Sequence, residues 1–179
     1  MSGNTKRILL IGGPSTGKTT LLEALKEDGY VCYEEISREV TRAAQEQGID
    51  QLFLTDPLLF SQKLLEGRIA QFENATEENS ELVFIDRGIP DVLAYMDYVN
   101  QDYPENFGQA CQDYRYDLVF ALPPWREIHQ TDQERYESFD QAIAIQQQLI
   151  KTYEHFSYHP IMVPKTSVAS RKDFILQHI

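Results

Sequence analysis

The ten residues IGGPSTGKTT, positions 11–20, restrict this chain more than any other stretch in it. Gly12, four residues, then Gly17-Lys18-Thr19 fill the phosphate-loop template. The flanks suit it: RILLI (7–11) reads as a buried strand, and TTLLEALKED (19–28) as a helix with Leu21, Leu22 and Leu25 on one stripe. Gly12 and Gly17 permit backbone angles that a Cβ resists. The loop formed by Gly12, Gly13, Pro14, Ser15, Thr16, Gly17, Lys18, Thr19 and Thr20 can therefore wrap a polyphosphate with its N–H groups at the positive end of the following helix. In that reading Lys18 reaches the terminal phosphates of a nucleotide and the Thr19 hydroxyl ligates Mg²⁺. The plainer alternative is a glycine turn with Lys18 solvated.

A chain of 179 residues with 42% hydrophobic content suffices for one substantial core, so a single domain over residues 1–179 is expected. The net charge of −12, with no Lys/Arg block, argues against sequence-independent binding to nucleic acid or to an anionic membrane. Cys32 and Cys111 lack metal-ligand spacing and read as free thiols of a reducing cytosol. The apolar run Ile8–Ile11 after Lys6-Arg7 is shorter than the ~7–15 residues of a secretory core, and nothing later approaches a membrane span. A cytoplasmic protein is expected.

Helical and strand patterns alternate, which predicts an α/β fold with a parallel sheet and crossover helices. The expected strands are RILLI (7–11), YVCYE (30–34), LVFID (82–86), DLVFAL (117–122) and PIMVP (160–164). Between them, 37–48, 57–79, 91–101 and 134–156 read as helices, and a last one follows Thr166 or Ser167 as cap. Ligands of such sheets bind beyond the carboxyl ends of the strands, so the partners of Lys18 are to be sought there.

The third strand closes on FIDRGIP. Asp86 is placed as a Mg²⁺-shell carboxylate beside Thr19, or else as the cap of a helix beginning near Pro90 and Asp91. Arg87 follows as a clamp on a phosphate or the acceptor, or as a surface ion pair. The second strand runs into CYEEISREVTR, where Glu35, Arg38 and Arg42 recur at helical spacing. Glu35 can take a proton from an acceptor hydroxyl while Arg38 holds that acceptor; a salt-bridge ladder on a solvated helix explains the spacing equally well. After the fourth strand, PPWREIHQTDQERYESF offers Arg126 and Arg135 on a segment that either closes over the nucleotide as a lid, about 123–136, or is an ordinary charged loop.

The segments GGPSTGKTTL, YEEISRE, FIDRGIPD, PPWREIHQTDQERYES and VPKTSVASRKDFIL resemble a small AAA-type P-loop ATPase domain family that groups with the kinase domain of nicotinamide riboside kinase. The resemblance runs over nearly the whole chain. It implies the three-layer fold of nucleoside and nucleotide kinases: a five-stranded parallel sheet in order 2-3-1-4-5, flanking helices and a mobile lid. It also implies Lys18 and Thr19 on the triphosphate and metal, Asp86 in the metal shell, Arg126 and Arg135 in the lid, and an acceptor-side region, about 36–80, with Glu35 as candidate base beside Arg38. A phosphotransferase using ATP and Mg²⁺ on a nucleoside- or nucleotide-like acceptor is the expected activity; the alternative is a nucleotide-binding switch with no small-molecule acceptor.

Overall fold

Five short apolar runs pair into one parallel sheet in the order β2-β3-β1-β4-β5. The computed structural model describes residues 5–130 and 137–179. The strands are β1 (Lys6–Ile11), β2 (Val31–Tyr33), β3 (Leu82–Asp86), β4 (Leu118–Ala121) and β5 (Ile161–Met162). β1 lies centrally between β3 and β4, with Leu10 opposite both Asp86 and Phe120. Its residues Ile8, Leu9, Leu10 and Ile11 are wholly buried, as a strand covered on both faces requires.

The pleat divides those side chains between two apolar clusters. Leu9, Ile11, Val83, Ile85, Val119 and Ala121 face one way. Ile8, Leu10, Phe84, Phe120 and Leu122 face the other. The second layer is covered by α1 (Lys18–Glu27) and α8 (Val168–Gln177). The first is covered from α2 (Ser37–Glu46), α4 (Pro57–Glu77), α5 (Ile89–Tyr98), α6 (Glu105–Asp113) and α7 (Phe139–His155), while α3 (Leu52–Thr55) packs on α4 through Phe53 and Phe60. No helix among the described residues is long and apolar enough to cross a membrane.

Local chemistry explains the helix starts. Asp56 accepts from the Leu59 N–H ahead of Pro57, and Ser138 with Gln141 forms a reciprocal capping box at 3.2 and 2.8 Å. Ser167, rather than Thr166, caps α8 by accepting from the Ser170 N–H. Three expected elements have their bounds corrected and two helices are added. α7 starts at Phe139 behind its cap Ser138 and not at 134. β5 is two residues long where five were expected, since only Ile161 and Met162 pair with β4. α5 begins at Ile89, two residues early, because its cap is Gly88. α6 and α3 were unforeseen: α6 carries a helix-weakening Gly108, and packing of Phe107, Ala110 and Cys111 holds it in place. Cys32 and Cys111 are free thiols; burial pushes Cys32 up to about 11 and Cys111 up to about 12.

Candidate active site

The loop between β1 and α1 begins at Gly12 and ends on Gly17, which stands at φ 82° directly before the first helical residue, Lys18. The left-handed backbone favours glycine at 17, and an Arg171 guanidinium nitrogen lies 2.8 Å from where a Cβ would sit. The first intrahelical bond runs from the Leu21 N–H to the Gly17 carbonyl, so the N–H groups of Lys18, Thr19 and Thr20 have no acceptor within α1. Such a helix start attracts anions.

Lys18 is buried, and its ammonium donates to the Gly12 and Gly13 carbonyls at 2.9 Å each and to the Thr16 hydroxyl at 3.3 Å. Thr16 in turn donates to the Gly13 carbonyl. Pro14 and Ser15 are half-buried, and the Ser15 hydroxyl donates to the Gln130 carbonyl at 2.8 Å. Thr19 and Thr20 are exposed on the first turn of α1. Burial, helped by the nearby Arg87 charge, pulls the Lys18 ammonium down to about 8, against the raising influence of Asp86, Asp91 and Glu35. A polyphosphate binds the charged ammonium. Affinity for nucleotide should therefore weaken as pH rises through about 8, by at most about tenfold per pH unit for one linked proton, measured as Kd against pH.

Asp86 ends β3 opposite Leu10 and is 5% exposed. It does not cap α5; the Gly88 N–H donates instead to Asp91. Burial raises the Asp86 carboxyl above its ordinary range, although Lys18 and Arg87 pull the other way. Its Oδ1 has no hydrogen-bond partner among the described residues. A partnerless carboxylate oxygen on β3 and an exposed hydroxyl at Thr19 are hard oxygen donors of the kind Mg²⁺ takes, so both residues fit that ion.

Arg87 and Glu35 meet at the ends of β3 and β2. Arg87 pairs through Nε with Glu35, donates to the Tyr95 hydroxyl at 3.0 Å and lies 3.8 Å from Asp91. Its side chain is 16% exposed, so it is not a surface ion pair. Glu35 precedes α2 and also accepts from Arg68 at 3.2 Å and from the Ser37 N–H at 3.0 Å. Burial alone would raise the Glu35 carboxyl; Arg68 and Arg87 outweigh it and hold the group below its ordinary range. Glu35 is therefore tied inward to α4 and β3, which the helical spacing with Arg38 and Arg42 did not reveal. Arg38 is exposed on α2.

Arg126 is exposed in a single 3₁₀ turn, Arg126–Ile128, with its guanidinium 4.2 Å from the centre of the Phe139 ring. Arg135 lies outside the described residues. Several buried polar residues went unread in the sequence. Arg68 stands on the buried stripe Leu64, Leu65, Phe72 of α4 and donates to the Gly88 carbonyl at 2.7 Å. Gln146, among Ala142, Ile145 and Leu149 of α7, accepts from the Gly13 N–H at 3.2 Å. Arg171 donates to the Thr16 carbonyl at 3.2 Å and lies 5.7 Å from the Trp125 ring. In the first two cases the available signal was a polar residue on an apolar helical stripe.

The fold recurs in solved structures. The NadR protein in complex with NR superposes with a TM-score of 0.70 at 21% identity, over 97% of this chain and 48% of NadR, so this chain spans about half the length of that protein. The deoxyadenosine kinase of M. mycoides, with its products dCMP and dCDP, gives 0.68 at 17% identity over 96% of this chain and 97% of that one. Thymidylate kinase of Candida albicans gives 0.65 at 16% identity over 100% and 92%. At these identities the likeness is one of fold: the chain has the three-layer architecture of P-loop kinases. No curated protein matches the sequence. Residues 7–171 match the model described as the AAA domain, and the chain belongs to that family.

Proposed function

We propose that this protein is an ATP- and Mg²⁺-dependent phosphotransferase acting on a small nucleoside- or nucleotide-like acceptor. The observation that carries the reading is the junction of Glu35 and Arg87 at the strand ends, on the same sheet edge as Lys18 and Asp86. A carboxylate held by guanidinia there can orient an acceptor hydroxyl and take its proton. The acceptor oxygen forms a bond to the γ-phosphorus, the bond from that phosphorus to the β–γ bridging oxygen breaks, ADP departs and the hydroxyl proton passes to Glu35. Lys18 and the N–H groups at the start of α1 stabilise the negative charge on the phosphoryl oxygens. Mg²⁺ held by Thr19 and Asp86 would neutralise further phosphate charge.

The lid, about 123–136, and the acceptor-side region, about 36–80, belong to the same proposal, as does a single catalytic domain working in the cytoplasm. The fold neighbours support it: NadR was solved with NR, and the M. mycoides enzyme with dCMP and dCDP. A coupled ATP-consumption screen across nucleosides, nucleotides, ribosyl pyridines and small sugars tests the reading. An acceptor-dependent rate is expected; nucleotide binding with no such rate for any acceptor would return the chain to the class of switches.

Two substitutions probe the parts. Asp86→Asn should raise the Mg²⁺ concentration needed for half-maximal turnover on the order of tenfold, more than it weakens nucleotide binding, because it removes a metal-shell charge and keeps the shape. Equal activity at every Mg²⁺ concentration would remove Asp86 from the metal shell. Arg126→Ala and Arg135→Ala should each lower turnover by on the order of ten- to a hundredfold with nucleotide affinity little changed, since lid arginines act on the transition state. Full turnover in both variants would take the lid out of the mechanism.

A further inference from the structure

The turn after β3 is fixed by groups from three helices. The Gly88 N–H donates to Asp91 of α5 at 2.9 Å, and its carbonyl accepts from Arg68 of α4 at 2.7 Å. Asp91 is wholly buried, and the Tyr153 hydroxyl of α7 donates to the same carboxylate oxygen at 2.5 Å. A Cβ at Gly88 would lie 2.6 Å from Leu9 and 2.9 Å from the Tyr153 hydroxyl, so the turn sits directly against that tyrosine. Just before it, Arg87 holds the left-handed φ of 69°, a conformation a non-glycine residue keeps only when its surroundings impose it. That conformation carries the guanidinium to Glu35.

Tyr153 is not the only hook on α7. Gln146, seven residues earlier and so two turns along the same face, accepts the Gly13 N–H in the phosphate loop. One helix thus bonds the donor loop from its middle and, through Asp91, the acceptor-side turn from near its end. Both side chains are at least nine-tenths buried amid Ala142, Ile145 and Leu149, which leaves their positions little freedom. α7 is also the helix that follows the proposed lid segment.

We infer that Gln146 and Tyr153 are positioning residues through which α7 sets the phosphate loop and the Arg87–Glu35 pair at a fixed separation, Tyr153 acting through Asp91 and the Gly88 peptide. The inference rests on the phosphotransferase reading for its kinetic consequences and on geometry alone for its structural ones. Tyr153→Phe keeps the ring in the core and removes one bond to a charged group, so the Gly88 turn loosens while the phosphate loop does not. Gln146→Leu loosens the Gly13 peptide and leaves the Gly88 turn as it was.

The experiment measures amide hydrogen exchange by NMR in the full chain alongside steady-state kinetics. In Tyr153→Phe the Gly88 amide should exchange about ten- to a hundredfold faster and Gly13 should be unchanged, the expected size for a lost bond to a carboxylate. Turnover should fall by a similar factor with nucleotide KM within about twofold. In Gln146→Leu the Gly13 amide should exchange about three- to tenfold faster and nucleotide KM should rise accordingly, the size of a neutral hydrogen bond. Equal loosening of both amides in either variant, or no change at Gly88 in folded Tyr153→Phe, would overturn the inference. Should the wild type lack acceptor-dependent turnover, the phosphotransferase reading fails by itself, and the two exchange patterns still decide whether α7 holds both peptides.

Discussion

Lys18→Ala is expected to reduce nucleotide turnover by about 10²–10³-fold or more while leaving the fold intact, because it deletes the one buried ammonium of the phosphate loop. The bonds it breaks at Gly12, Gly13 and Thr16 join the ammonium to the loop that it would release on meeting a polyphosphate. Stability should not suffer greatly. Burial lowers the folded pKa to about 8 from the ordinary 10.5, so the charged form is disfavoured by folding below pH 8, and that cost is relieved as pH climbs between those values. The alanine variant should accordingly lose activity without losing Tm at neutral pH, and its nucleotide Kd should no longer depend on pH near 8. A thermal melt, an affinity titration and a turnover assay on one preparation check all three. Unchanged turnover would refute the phosphate-loop assignment.

The phosphate loop was legible because its signal is local: glycine, lysine and threonine at fixed offsets between an apolar strand and an amphipathic helix. The sheet was legible for a related reason, since buried parallel strands are written as unbroken apolar runs. The inner half of the site was not. Arg68 reaches Glu35 across 33 residues and Tyr153 reaches Asp91 across 62, and no spacing rule spans such separations. For Glu35 the local rule misdirected: three- and four-residue spacing tied it to Arg38 and Arg42, whereas its carboxylate precedes α2 and turns inward to α4 and β3. A polar residue on an apolar stripe was the one readable trace of the hidden network, at Arg68 and at Gln146.

That network makes Glu35→Gln the most informative single substitution. Chemically it removes the proposed proton acceptor and should lower acceptor-dependent turnover by on the order of 10²–10⁴-fold, with nucleotide affinity nearly unchanged. Structurally it removes the counter-charge that Arg68 and Arg87 share, so a lower Tm is also expected. The two effects separate by pH. In the wild type the folded carboxyl titrates below its ordinary 4.5, so its stabilising charge is fully present above that value and fades as pH falls through the folded one; the Tm gap between wild type and variant should narrow only in that acid range. The same direction fixes the kinetics. A carboxylate held below its ordinary range adds no acid limb of its own near neutrality, so the shape of the kcat/KM profile from about pH 7 to about pH 5 should be the same in wild type and Glu35→Gln. Full turnover in a folded Glu35→Gln protein would move the base elsewhere and leave Glu35 as the anchor of two arginines.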